Sequence, residues 1–303
     1  SHAQAGDKAN DAHRVDGEDV RAQVIGEGAN LGVTQAGRIA FARKGGRINT
    51  DAVDNSAGVD TSDHEVNIKI LLQDAMATGG LSLEARNVLL ADMTDAVGQL
   101  VLAHNYDQTL ALTLAQATAA TDLDSHERFI ERLEGSGKLV RSVEGLPSAE
   151  DLRALREARL GMTRPELAKL IAYAKIDLFD ALVDSPVPDD PYFVDTLRAY
   201  FPPQLGVYAT QMERHRLRRE IIATRLADAL INFGGPTFID RVRDTVRAAP
   251  VQVAAAFESA RAIYRFDALA DRINALDSKV PAAAQTALHL EISAALRRIV
   301  AYL

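Results

Sequence analysis

Residues 23–66, QVIGEGANLGVTQAGRIAFARKGGRINTDAVDNSAGVDTSDHEV, hold the stretch on which the fold turns. Just upstream and into it, RAQVIGE (21–27) is a short β-rich run. TQAGRIAFARKG (34–45) carries apolar residues at helical spacing and stops at Gly45-Gly46. RINTDAV (47–53) reads as a second strand before a polar turn. A strand, a helix and a strand in this order predict a parallel βαβ unit, too small to stand alone as a sheet.

Glycines at 26, 28 and 32 let the backbone approach a ligand closely, and the helix that follows offers free amides to an anion. The spacing is G-x-G-x-x-x-G, which fits a cofactor turn and an ordinary tight strand-to-helix turn equally well. As a first dinucleotide turn it lacks a matching acidic residue after the second strand. Asp51 and Asp54 are in range, but they stand in a polar turn with Asn49 and Asn55.

Beyond about residue 63 the texture is helical. Ser82 is placed to cap a helix from Leu83, and Ser148 with Asp151 and Thr163 with Glu166 fit capping boxes. In ELAKLIAYAKIDLFDALV (166–183), Leu167, Leu170, Ile171, Ala174, Leu178 and Leu182 fall on one stripe, which predicts a helix with one face in a core. SPVPDDP (185–191) and FPP (201–203) interrupt the helices. Segments 214–232, 235–248, 250–262 and 280–302 carry further helical patterns, and no fixed-period repeat is present. The fold expected is therefore mainly α with an α/β N-terminal part.

Bulk properties narrow the function. The 303 residues suffice for two domains, and 47% apolar with 25% charged residues is the balance of a globular protein. The net charge of −8 opposes a nucleic-acid partner. No apolar run reaches the roughly 18 residues of a membrane span, and no leader opens the chain, so a soluble, cytoplasmic protein without membrane attachment is expected. The absence of cysteine removes disulfides, thiolate nucleophiles and cysteine metal sites. The chain opens at Ser1 without a methionine, which points to a cut or processed product.

Two blocks of this sequence resemble a known family. EGANLGVT (27–34) resembles the EGAN-x-PTT turn of amino-acid dehydrogenases of the glutamate dehydrogenase family, with Gly32 at the usual proline. NSAGVDTSDHEV (55–66) is similar to its NAGGVTVSYFEW segment at Asn55, Gly58, Val59, Ser62 and Glu65. With TRPELAKLIAYAKIDLFDAL, DDPYFVDTLRAYFP and RHRLRREIIATRLADALINFGGPTF, most of the chain looks like the carboxy-terminal part of the large bacterial NAD-specific glutamate dehydrogenases. The resemblance implies that residues 1–75 are the C-terminal portion of a Rossmann-type dinucleotide-binding domain, a remnant of its parallel sheet, and that 76–303 form a helical domain. The true phosphate turn would then lie upstream of Ser1.

By the same resemblance Glu27, Gly28, Ala29, Asn30 and Asn55 are expected at the NAD edge, with Asn30 and Asn55 beside the nicotinamide. Val59 and Ser62 are expected to line the pocket for L-glutamate and 2-oxoglutarate. One hydroxyl donor and an apolar wall recognise glutamate only with cationic help. That cation, like the family's catalytic lysine and aspartate, has no matching position here, so no catalytic residue is expected in this chain and the reaction would need upstream catalytic domains of the same polypeptide. A homo-oligomer is implied as well. Departures at Ser56, Ala57, Asp60, Asp63 and His64 keep the small-enzyme pocket from transferring whole.

Two other readings remain open: a non-catalytic helical oligomerisation or regulatory module, and a dehydrogenase of another amino acid built on the same turn. Asp60, Asp63, His64 and Glu65 invite a metal reading, but HExxH is absent because Ile68 stands at its last position, and acidic side chains at a helix start explain them without an ion. No metal is expected. In ERHRLRRE (213–220), Arg214 and Arg218 recur with Arg225 on one helical face, which reads as an ion-pair surface. No nucleophile elbow stands near a histidine and an acid, so acyl transfer has no support.

Overall fold

A computed structural model describes residues 14–303. Ser1 and the first part of the expected dinucleotide-binding segment, residues 1–13, lie outside the described residues. The described chain is mainly helical, with one small parallel sheet in which Val24 pairs with Arg47 and Ile25 with Ile48.

The βαβ order holds, with shorter strands than the sequence indicates. Strand β1 (Val24–Ile25) leads through the glycine turn to helix α1 (Gln35–Arg43), and β2 (Arg47–Ile48) returns beside β1. Thr34 caps α1 by accepting a hydrogen bond from the Gly37 amide at 3.1 Å. The helix stops where Gly45 takes a φ of +99°, open to glycine and costly for other residues. At Gly46 a β-carbon would stand 2.3 Å from the Phe41 ring, so glycine is needed there for packing.

The second strand does not continue to residue 53. Helix α2 (Asp51–Asp54) replaces its expected end, and α3 (Ser56–Ala77) follows at once. The physical reason lies outside the segment: the Asp54 and Asp51 carboxylates accept from the Glu27 and Leu31 amides of the glycine turn, 27 and 20 residues upstream, a use that an extended strand would not give them.

The remaining helices are α4 (Leu83–Asp92), α5 (Thr94–Ala117), α6 (Leu123–Gly135), α7 (Arg141–Glu144), α8 (Ala149–Glu157), α9 (Arg164–Val183), α10 (Val194–Tyr200), α11 (Ala209–Glu213), α12 (Arg218–Gly234), α13 (Phe238–Val246), α14 (Pro250–Tyr264), α15 (Phe266–Asn274) and α16 (Ala282–Tyr302). Ser82 and Ser148 cap α4 and α8 as the sequence requires, the second in a full capping box with Asp151. At α9 only half of the expected box forms. Thr163 N and Oγ1 both donate to the Glu166 carboxylate, each at 2.6 Å. The two proline-rich breakers become short 3₁₀ segments at Val187–Asp189, Pro191–Phe193 and Pro203–Tyr208.

The chain divides into two compact units. One joins the residues up to Ser56 with Leu112–Ala172; the other joins Ala57–Ala111 with Tyr173–Leu303. In the first, Phe41 and Ile48 from the βαβ part are buried, as are Phe129, Ile130 and Leu133 of α6 and Leu152 of α8. In the second, Phe257 meets Phe233 and Phe238 edge-on at 6.3 and 6.1 Å, and α16 packs along α13, α14 and α15. No described helix is long and apolar enough to cross a membrane.

Candidate functional site

In a parallel pair the loops leaving the strands' carboxyl ends share one edge, the edge at which open α/β sheets bind ligands. Here that edge holds Gly26 to Asn30 after β1 and Asn49 onward after β2. Three carboxylates build it. Asp54 Oδ2 accepts from the Glu27 amide at 3.0 Å, Asp51 Oδ2 from the Leu31 amide at 2.9 Å, and Glu27 Oε2 from the Val33 amide at 3.2 Å. Leu31 carries a φ of +59°, held by that Asp51 contact. The Leu31 amide, then opposing burial, then Arg38 set the Asp51 carboxyl, with the net result below its ordinary pKa.

Arg38 ties these groups together from α1. Its guanidinium is buried and meets Glu27 Oε1 at 2.5 Å and Oε2 at 2.8 Å, and Asp51 Oδ1 at 3.0 Å. The Glu27 bond, against the cost of burial, raises the Arg38 pKa. Glu27 therefore spends both oxygens inside the turn, whereas Gly28 and Ala29 are exposed, and a β-carbon on Gly28 would meet nothing within 4 Å.

Asn30 and Asn55, separated by 25 positions in sequence, touch. Asn55 Nδ2 donates to Asn30 Oδ1 at 2.7 Å. That bond leaves the Asn30 amide hydrogens and Asn55 Oδ1 without a partner among the described residues. One donor group and one acceptor side by side complement a primary carboxamide, which offers the reverse pair.

In the second unit Val59 and Ser62 lie in the first two turns of α3, and both are exposed. Ser62 Oγ donates to the Gly58 carbonyl at 3.0 Å, so its proton goes to its own helix.

The sequence places Asp60, Asp63, His64 and Glu65 at a helix start, and the structure corrects this. The helix begins at Ser56, one turn earlier. Asp60, His64 and, from α5, His104 bring a carboxylate and two rings within 4.8 Å of one another. The hydrogen bonds give His104 a different use from metal binding. Arg225 Nη1 donates to His104 Nε2, so the ring proton sits on Nδ1 and is donated to Asp60 Oδ2 at 2.7 Å. The lone pair a metal needs is taken, and a guanidinium stands beside it. Burial works against the Asp60 charge, but the His104 hydrogen bond and the nearby Arg225 charge hold its pKa below the ordinary value. His64 is fully buried, stacks on Tyr200 at 4.5 Å and has no hydrogen-bond partner for either nitrogen. Burial lowers its pKa to about 4, and the ring is neutral.

The basic cluster also changes shape. Arg214 lies between α11 and α12, off the helix that carries Arg218 and Arg225, because the chain breaks at 214–217. It pairs with Asp74, Arg218 and Arg219 both pair with Asp189, and Arg225 goes to His104.

Residues 1–115 match the family described as bacterial NAD-glutamate dehydrogenase, catalytic domain, and residues 159–303 match glutamate dehydrogenase, C-terminal, leaving only 116–158 unmatched. The chain belongs to the bacterial NAD-glutamate dehydrogenase family. It is 46% identical over 297 residues to the NAD-specific glutamate dehydrogenase of Halomonas elongata, 46% over 293 residues to that of Pseudomonas aeruginosa, and 42% over 276 residues to that of Mycobacterium tuberculosis. Those matches cover 98%, 96% and 91% of the chain. The chain spans 18%, 18% and 17% of the relatives' own lengths.

Sequence reasoning missed Arg38 and His104. Arg38 carried a signal, a cation three positions before Phe41 on the buried side of α1. His104 carried none, since it reaches Asp60 from 44 residues away.

Proposed function

We propose that the chain supplies the nicotinamide edge and a helical support region of an NAD-dependent glutamate dehydrogenase, which converts L-glutamate, NAD and water to 2-oxoglutarate, ammonia and NADH. The observation that carries this reading is the 2.7 Å bond between Asn55 and Asn30, which joins the two motif blocks at the carboxyl edge of the parallel pair. On this reading β1, α1 and β2 are the end of a Rossmann-type sheet completed by upstream catalytic domains of the same polypeptide.

Bound NAD would accept hydride from the substrate's α-carbon. Asn30 and Asn55 hold the carboxamide and so fix the ring's orientation, which is where positioning lowers the barrier. Glu27 acts through Arg38 and the Val33 amide to keep the turn in shape, while Gly28 and Ala29 leave room for the ligand. Val59 gives an apolar wall to the substrate, and Ser62 offers its hydroxyl after rotating away from Gly58. Assembly as a homo-oligomer belongs to the same proposal.

The test is NADH formation driven by L-glutamate in the native gene product at whatever length the cell makes it. Activity that falls in both Asn30→Ala and Ser62→Ala supports the assignment. Unchanged kinetics in both variants would sink it. Competing amino acids in the same assay identify the substrate.

A further inference from the structure

Arg164 opens α9 and belongs to the first unit. Its guanidinium bonds only to neutral oxygens: Nε to Asn49 Oδ1 at 2.8 Å, and Nη1 to Thr113 Oγ1 at 3.1 Å and Gln116 Oε1 at 3.3 Å. Nη2 has no partner among the described residues, and no carboxylate there pairs with the group. A half-buried cation with no carboxylate in direct contact carries a desolvation cost that an anion would offset. Burial lowers its pKa, Asp54 acts in the opposite sense, and Arg47 adds a like charge nearby.

The placement is built. Asn49 follows the last residue of β2, at the carboxyl edge of the pair. It accepts from Arg164 and donates through Nδ2 to Asp54 Oδ1 at 2.7 Å, while Asp54 Oδ2 accepts from the Glu27 amide at 3.0 Å. Arg164 is thus fixed through two side chains to the turn that carries Asn30. The three neutral contacts hold the fork in place, and the two Nη2 hydrogens remain for a ligand.

We propose that Arg164, with Arg47 adding positive potential, forms an anion subsite at this edge that takes a phosphate group. The phosphate is either that of a dinucleotide's diphosphate or a free one. The dinucleotide source rests on the dehydrogenase reading; the phosphate site itself does not.

The test follows the Arg164 Nε–Hε resonance of the full 303-residue chain during titration with inorganic phosphate. A saturable shift is expected. Phosphate binding should weaken at least about tenfold in Arg164→Gln and less in Arg164→Lys, since lysine keeps the charge without the fork. Matched melting curves show that the variants are folded. If Arg164→Gln does not fold, the wild-type resonance and the lysine variant still decide. No saturable shift in the wild-type chain, or equal phosphate binding by folded Arg164→Gln, overturns the proposal. Adding NAD to the phosphate-bound native gene product, at whatever length the cell makes it, distinguishes the sources. Displacement assigns the site to the cofactor's phosphate, and retention assigns it to a free anion. Failure of Asn30→Ala to affect turnover would remove the cofactor reading alone.

Discussion

Asn30 and Asn55 are joined by one hydrogen bond, and on the proposed reading each keeps one group for the cofactor's carboxamide. Removing either leaves one carboxamide contact unmade, so Asn30→Ala and Asn55→Ala in the intact enzyme should each lower kcat/KM roughly tenfold, the cost of a hydrogen bond of about 1.4 kcal/mol. Because they act as a pair, the double variant should lose less than the two single losses combined, which steady-state kinetics over a double-mutant cycle would show. Additive losses would mean separate roles. Glu27 belongs to a different class, since its carboxylate compensates a buried arginine. Glu27→Ala leaves Arg38 with Asp51 alone and should lower the stability of the chain by about 3 kcal/mol in urea denaturation. A loss below about 0.5 kcal/mol would show that the pair is not the turn's anchor.

Among the elements, α9 was the most legible. All six residues of its apolar stripe are buried, with Leu167, Leu170 and Leu182 at 0% exposure. Leu170→Ala should therefore cost about 2 to 5 kcal/mol, measured by the shift in denaturation midpoint at constant slope. Ser148→Ala, which removes one half of a complete capping box, should cost about 1 kcal/mol. The βαβ segment was legible in order and not in extent. Local propensity cannot show that Asp51 will be drawn into a helix, because its partner is the Leu31 amide 20 residues upstream. Helix α15 was missed for a related reason. Its buried residues, Phe266 and Ile273, are two turns apart, too sparse a pattern for a strong period.

Across the whole molecule, buried neutral histidines set the response to acid. Burial, opposed by Asp60 and reinforced by His104 and Arg225, brings His64 to about 4, below its ordinary 6.5; burial also lowers His215 and His289. The unfolded chain then takes up protons before the folded one does. Stability is full above about pH 6.5 and is lost as pH falls towards 4, by an amount of order 3 kcal/mol from His64 alone. Asp107 and Glu258, raised by burial, offset part of this loss at the acid end. Urea midpoints measured from pH 7 to pH 5 should decline, and His64→Gln should reduce the slope. A slope unchanged in that variant would place the acid sensitivity elsewhere.

The sequence by itself determined the helical character, the caps at Ser82 and Ser148, the buried stripe of α9 and the order of the βαβ segment, because each depends on neighbours within a few residues. The family blocks were legible for the same reason, as fixed local spacings. Tertiary structure alone decided that Asn55 meets Asn30, that Arg38 takes up Glu27, that His104 orients on Asp60, and that Arg164 reaches the strand edge through Asn49. Those pairs are 25, 11, 44 and 115 residues apart. A charge in sequence has no known counter-charge until folding removes it from water and leaves it a partner or none.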